Sequence, residues 1–309
     1  MIASITLELL AMKSSLKIWV RFLTTAGFKQ NKKGVVIYMG NRFYILDNGY
    51  MEVDKSQLLA NATLGTVDDK NPPALWIQIP SYCVLIKSPE KGWILFDTGC
   101  HPDGMNGRWS PMSVKVAPYY CNEDQLLVNQ LKSIGLKPED IGTVVLSHYH
   151  VDHAGGLYLF KDTAEVYVNK DDFMNALYIV HASQDPNASG GTCKADVTEP
   201  VQKYRFLGNR DYEIAPGVKL LYTPGHSAGL MALLLHLEED TYLFPVDSLH
   251  MAENYGPPAR LSSIIADSVA CHASIEKIRE LERLYNAKMF FPHDIKQFRT
   301  FKLAPEYYE

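Results

Sequence analysis

The chain has 309 residues, 47% hydrophobic and 21% charged, a globular composition that excludes collagen-like and disordered classes. Thirty Lys and Arg against 35 Asp and Glu leave a formal net charge of -5, which argues against a nucleic-acid partner or non-specific binding to anionic lipid. No apolar run is long enough to span a bilayer, so no membrane span is expected.

Residues 1–40 read as an N-terminal extension. Apolar Met1–Ala11 is followed by a basic stretch to Lys17, and the next apolar run, Ile18–Leu23, is interrupted by Arg21. A secretory signal needs an unbroken apolar stretch and a small-residue cleavage site, so an amphipathic helix is expected instead. Met12 and Met39 are alternative starts. The five cysteines, Cys83, Cys100, Cys121, Cys193 and Cys271, are odd in number and none stands at CxxC spacing. This predicts free, mostly buried thiols in a cytoplasmic protein.

Residues 41–309 read as one catalytic domain. Tyr82–Ile86 and Trp93–Phe96 predict buried strands joined by a turn at Pro89–Gly92. Leu127, Val128 and Leu131 predict a helix over Asp124–Ile134. Strands at Thr143–Leu146 and Glu165–Val168 follow, then a helix at Asp171–Val180. The second half repeats the pattern, with strands at Val218–Tyr222, Met231–Leu235 and Thr241–Phe244. Ile275, Ile278, Leu281 and Leu284 form one stripe of a helix over His272–Tyr285, and Lys288–Phe291 is a last strand. Two sets of strands, each with helices, predict an α/β protein of two packed sheets flanked by helices.

The segment Ser147-His148-Tyr149-His150-Val151-Asp152-His153-Ala154-Gly155-Gly156 directly follows a predicted strand. A loop at a strand end can converge such side chains on one point, and glycines 155 and 156 are expected to let the backbone turn tightly away. His226, Asp247 and His293 also fall just past strands. Imidazole and carboxylate together suit Zn, Fe, Co or Mn better than Ca. Ser147 lacks a GxSxG elbow, so a serine nucleophile is not expected.

The HxHxDH run, with His226, Asp247 and His293, resembles the metallo-β-lactamase superfamily. Ser147–Gly156, Leu220–Ser227, Phe291–Lys296 and the closing Pro305–Tyr307 are similar to the quorum-quenching N-acyl homoserine lactone lactonases, from about residue 41 to the C-terminus. The resemblance implies an αβ/βα sandwich with two divalent metal ions, zinc before Fe, Co or Mn. It implies that His148, His150 and His226 hold one metal and Asp152, His153 and His293 the other. Asp247 would bridge them, with hydroxide as second bridge, and the turn Asp97-Thr98-Gly99 would shape the site without binding metal. Asp152 would also shuttle a proton to the leaving ring oxygen. The implied substrate is a small-molecule lactone, and the implied reaction is opening of its ring. Met105 and Trp109 fall where these lactonases place residues near the acyl tail.

One position departs from the pattern. His250 stands where the resembling lactonases often carry a tyrosine that contacts the substrate carbonyl. Histidine can also donate that hydrogen bond. The loop from Met251 to Asp267 differs in length as well. These departures bear on substrate range, and the alternative within the superfamily is a glyoxalase II-like thioester hydrolase or an arylesterase. An iron-bearing thiol dioxygenase is a more distant alternative. A homodimer is compatible with the resemblance.

Overall fold

The computed structural model describes residues 28–30, 36–38, 40–182 and 190–309. Most of the extension, including the apolar stretches expected to form a helix, lies outside the described residues. Its described part is not helical: Phe28–Gln30 (β1) pairs antiparallel with Val36–Tyr38 (β2).

Two mixed sheets follow. The first contains Arg42–Asp54 (β3), Trp76–Ser88 (β4), Gly92–Phe96 (β5), Tyr119–Tyr120 (β6), Thr143–Val145 (β7), Glu165–Asn169 (β8) and Tyr204–Leu207 (β9). Its order is β6-β3-β4-β5-β7-β8-β9. The second contains Tyr212–Ala215 (β10), Val218–Tyr222 (β11), Met231–His236 (β12), Thr241–Phe244 (β13) and Lys288–Met289 (β14), in that order. Within the first sheet β5, β7, β8 and β9 run parallel, while β3, β4 and β5 are antiparallel.

Alternation along the central strands places apolar residues on both faces. Phe43, Ile45, Val84, Ile86, Ile94, Phe96 and Val145 point to the second sheet, where Val218, Leu220, Leu233 and Leu243 meet them. Tyr44, Leu46, Leu85, Leu95, Val144 and Val166 point the other way, under Leu127, Leu131, Ala176 and Val180 of the covering helices. The opposite side is covered by the helix Ser268–Tyr285, through Ile275 and Ile278. The predicted two-sheet α/β architecture is therefore present. Among the described residues no helix is long and apolar enough to cross a membrane.

Several boundaries differ from the expected ones. The helix expected over Asp124–Ile134 is a 3-10 turn at Glu123–Gln125, then a helix at Leu127–Ser133, because Leu126 between them is extended. The helix expected from His272 starts at Ser268, where the Asp267 carboxylate caps the N–H groups of Val269 and Ala270. β3 escaped the sequence pattern because its register shifts between Asp47 and Tyr50, with Gly49 at φ 85°. That irregularity breaks the period of two.

Ile86 is fully buried between the sheets. Ile86→Ala should lower the urea midpoint of the metal-stripped protein, corresponding to a loss of about 2–5 kcal/mol. The exposed Val67→Ala should leave the midpoint in place.

Candidate metal centre

The segment after β7 is anchored before it reaches the site. Asp97, held at φ 59°, accepts hydrogen bonds from Ser147 N–H at 2.7 Å and from the Ser147 hydroxyl at 2.8 Å. Its other role is to hold His153 Nδ1, 2.8 Å from Oδ2. Thr98 Oγ1 donates to the His153 carbonyl at 2.9 Å. A left-handed aspartate is strained, and these contacts are what maintain it. Gly155 and Gly156 adopt ordinary negative φ of -63° and -87°. Their value is close approach rather than an unusual turn. A Cβ on Gly155 would collide with His101 N, and one on Gly156 with Thr98 O.

The structure brings all seven expected ligand residues together. His148, His150, His226 and Asp247 offer donor atoms within 4.8 Å of one another, as do Asp152, His153 and His293. Asp247 joins the groups. Its Oδ2 lies 3.2 Å from His226 Nε2 and 3.7 Å from His148 Nε2. Its Oδ1 lies 3.2 Å from His293 Nε2 and 3.4 Å from His153 Nε2. Asp152 Oδ2 is 3.4 Å from His293 Nε2 and 3.5 Å from His153 Nε2. Donors about 2.0–2.1 Å from a shared tetrahedral cation stand roughly 3.3 Å apart, so these separations fit a metal.

Outer nitrogens fix two of the rings by backbone carbonyls. His226 Nδ1 donates to Ile264 O at 2.8 Å, and His293 Nδ1 to Pro80 O at 3.1 Å. A carbonyl only accepts, so both rings carry the proton on Nδ1 and turn Nε2 inward. His148 Nε2, His153 Nε2 and Asp247 Oδ1 are buried without a hydrogen-bond partner among the described residues. Such orphans are costly, and a cation would satisfy them together. The residues therefore fit a two-metal site.

The charges divide unevenly. Burial pushes the pKa values of His148, His150 and His226 down. Burial also acts against charged His153, but Asp152, Asp247 and Asp97 overcome it and raise its pKa well above the usual value. His293 is raised as well, against burial, by Asp247 and Asp152. Burial opposes ionised Asp247, yet His293 and His153 hold its carboxyl well below the usual range.

The centre forms one end of a cavity of about 260 Å³. Asp152, Asp247, His250 and His293 line that end, and Met51, Val53, Leu58, Ile79 and Trp109 line the rest. His250 is 2% exposed, its Nε2 lies 3.4 Å from Asp247 Oδ2, and that nitrogen has no hydrogen-bond partner among the described residues. Trp109 reaches the cavity by lying over Gly104, where a Cβ would sit 2.7 Å from the indole. Met105, expected beside it, does not line the cavity. Its sulfur is instead 3.3 Å from the backbone nitrogen of Tyr119, so it packs behind Trp109.

Sequence reasoning missed Asp172. This buried carboxylate accepts from Tyr149 N–H at 3.2 Å, Gly229 N–H at 3.1 Å and the Ser227 hydroxyl. It ties the loop carrying His148 and His150 to the loop carrying His226. Burial pushes its pKa up to about 6 despite those bonds. In sequence it is one of two acids in the first turn of the helix Lys170–Ala182, an ordinary complement to the helix dipole, so nothing marks it.

Asp172→Asn should weaken metal binding about tenfold in a chelator competition while the folded circular-dichroism spectrum persists. Zinc added at pH 7 to unbuffered, metal-stripped protein should acidify the solution. The sign follows from the raised pKa values of His153 and His293, which hold protons that bound metal must displace. The release should shrink as the starting pH rises through those values.

Residues 76–293 match the family model of the metallo-beta-lactamase superfamily. The chain is 34% identical over 279 residues to the N-acyl homoserine lactonase AiiB of Agrobacterium fabrum, covering 88% of this chain and all of that one. It is similar, at 28% identity and a TM-score of 0.73, to an N-acyl homoserine lactone hydrolase solved with N-hexanoyl-L-homoserine at the catalytic metal centre, covering 86% of this chain and 98% of that one. A Bacillus thuringiensis AiiA variant with N-decanoyl-L-homoserine at its active site matches at 27% identity and a TM-score of 0.73, over 86% of this chain and 98% of that one. The chain belongs to the metallo-beta-lactamase superfamily, in the branch that holds the N-acyl homoserine lactonases.

Proposed function

We propose that this protein is a metal-dependent hydrolase that opens the lactone ring of N-acyl homoserine lactones. The observation that carries the reading is the shape of one cavity. A cluster of imidazoles and carboxylates lines one part of it, and mostly apolar side chains, with Gln57 and Ser113 among them, line the remainder. That division matches a substrate with a polar, hydrolysable ring and an apolar tail. The lactonase relatives support the same reading. The catalytic unit on this reading is residues 41–309. The five free thiols, four of them buried, support a cytoplasmic setting.

His148, His150 and His226 would hold one divalent cation, and Asp152, His153 and His293 a second, with Asp247 shared. Zinc is the proposed metal, because neutral imidazole and carboxylate are its ordinary ligands. When bound, the pair supplies an acidified water and Lewis-acid polarisation of the ester carbonyl. The remaining chemistry belongs to the side chains. His250 lines the same cavity, and on this reading its ring would donate a hydrogen bond to the carbonyl oxygen as negative charge develops there. Asp152 also borders the cavity, where its carboxyl carries a proton to the departing ring oxygen. Trp109, Met51, Val53 and Ile79 hold the acyl chain and exclude water from that side.

The test is proton release during ring opening of hexanoyl homoserine lactone, with metal counted per chain. Asp247→Ala should lose metal and rate together. His250→Phe should keep its metal and lose roughly 10–1000-fold in kcat, and His250→Tyr should recover much of it. Turnover of thioesters or aryl esters without lactone opening would overturn the reading in favour of the alternative hydrolases.

A further inference from the structure

Backbone carbonyls aim the rings of His226 and His293, but His250 is held differently. Its Nε2 has no hydrogen-bond partner among the described residues. The ring packs against His226 and His293, with centroids 5.1 Å and 5.6 Å away. Its direction therefore depends on the backbone that carries it.

That backbone is gripped from both sides. The peptide joining His250 to Met251 is one planar unit. Its carbonyl accepts from His293 N–H at 2.9 Å, and its N–H donates to Asn254 Oδ1 at 2.9 Å. With both groups engaged, the plane cannot turn without losing a bond in a buried place. His293 belongs to the ligand cluster, and Asn254 does not.

Asn254 is buried and its own amide is committed. Nδ2 donates to Leu58 O at 2.7 Å and to Arg260 O at 2.9 Å. Two carbonyls need donors and one N–H needs an acceptor, so the amide has a single workable orientation. Its frame is secured in turn. Arg260 N–H donates to Asn254 O at 3.0 Å, and Ala60 N–H to Leu261 O at 2.9 Å. The Ser262 hydroxyl and Ser263 N–H both donate to Gln57 O, at 2.8 Å and 3.0 Å. The loop after His250 is thus stitched to residues 57–60, with Asn254 at the join. Asn254 itself does not line the cavity.

We propose that Asn254 is a positioning residue for the reaction: by gripping the His250–Met251 peptide, it fixes the His250 ring toward the substrate carbonyl. This inference rests on the lactonase reading and adds a residue that acts only through His250.

The experiment measures kcat and KM for hexanoyl homoserine lactone in zinc-loaded wild type, Asn254→Ala, His250→Phe and the double variant. Displacing a reacting group by about 1 Å costs on the order of 100-fold, so Asn254→Ala should lose roughly 10–100-fold in kcat while KM and zinc content hold. In the His250→Phe background the same substitution should cost less than about twofold, because the group it positions is already gone. Asn254→Asp keeps an oxygen for Met251 N–H and should recover part of the rate. It also serves in the same cycle where Asn254→Ala does not fold. Amide exchange gives a readout independent of turnover: Met251 N–H should exchange at least about tenfold faster in Asn254→Ala, while the central strand β12 stays protected. Equal losses in both backgrounds, or loss of zinc together with rate, would overturn the positioning role, as would unchanged Met251 exchange. A wild type that opens no lactone would overturn the lactonase reading instead, and Met251 exchange would still decide whether Asn254 grips the peptide.

Discussion

Asp247 turns Oδ1 to His153 and His293 and Oδ2 to His148, His226 and His250, in a site where every partner is buried. Buried charges cannot be left alone in a protein interior, so this arrangement demands positive charge on both sides of the carboxylate. Protons on His153 and His293 can supply part of it, and two cations can supply all of it. The surrounding fold works to keep these rings in place. Asp97 grips His153, Ile264 grips His226, and Pro80 grips His293. Each of these acceptors lies on a different segment: Pro80 in β4, Asp97 just after β5, and Ile264 in the loop before the helix Ser268–Tyr285.

Asp172 extends the same logic one step outward. Its hydrogen bonds go to backbone or hydroxyl groups beside His148, His150 and His226. A single carboxylate thereby sets the spacing of two loops that are far apart in sequence. The apolar half of the site is built differently. Its walls come from β3, β4, the turn leading to Trp109 and the helix Pro111–Val116, which form a small hydrophobic cluster separate from the two main ones. Reactive centre and tail pocket can therefore vary independently, which fits a superfamily that applies one centre to several substrates.

Much of the centre was legible from spacing. His148, His150, Asp152 and His153 are adjacent in sequence, and a strand before them puts them in one loop whatever the rest of the chain does. His226, Asp247 and His293 were legible because each follows an apolar run that reads as a strand. Met105 and Trp109 show the limit. They are four residues apart, and the sequence favours neither for the cavity. Gly107 at φ 91°, and the close seat of the indole on Gly104, send Trp109 inward and leave Met105 behind it. The long strand β3 was hidden by its irregularity at Gly49.

The sequence by itself determined the elements and the donor atoms, because periodicity and ligand chemistry are local properties of the chain. Tertiary structure alone decided that Asp247 faces both ligand groups and that Asp172 ties two loops. Those relations depend on contacts between residues tens of positions apart. The packing of two sheets sets such distances, and no local pattern encodes them.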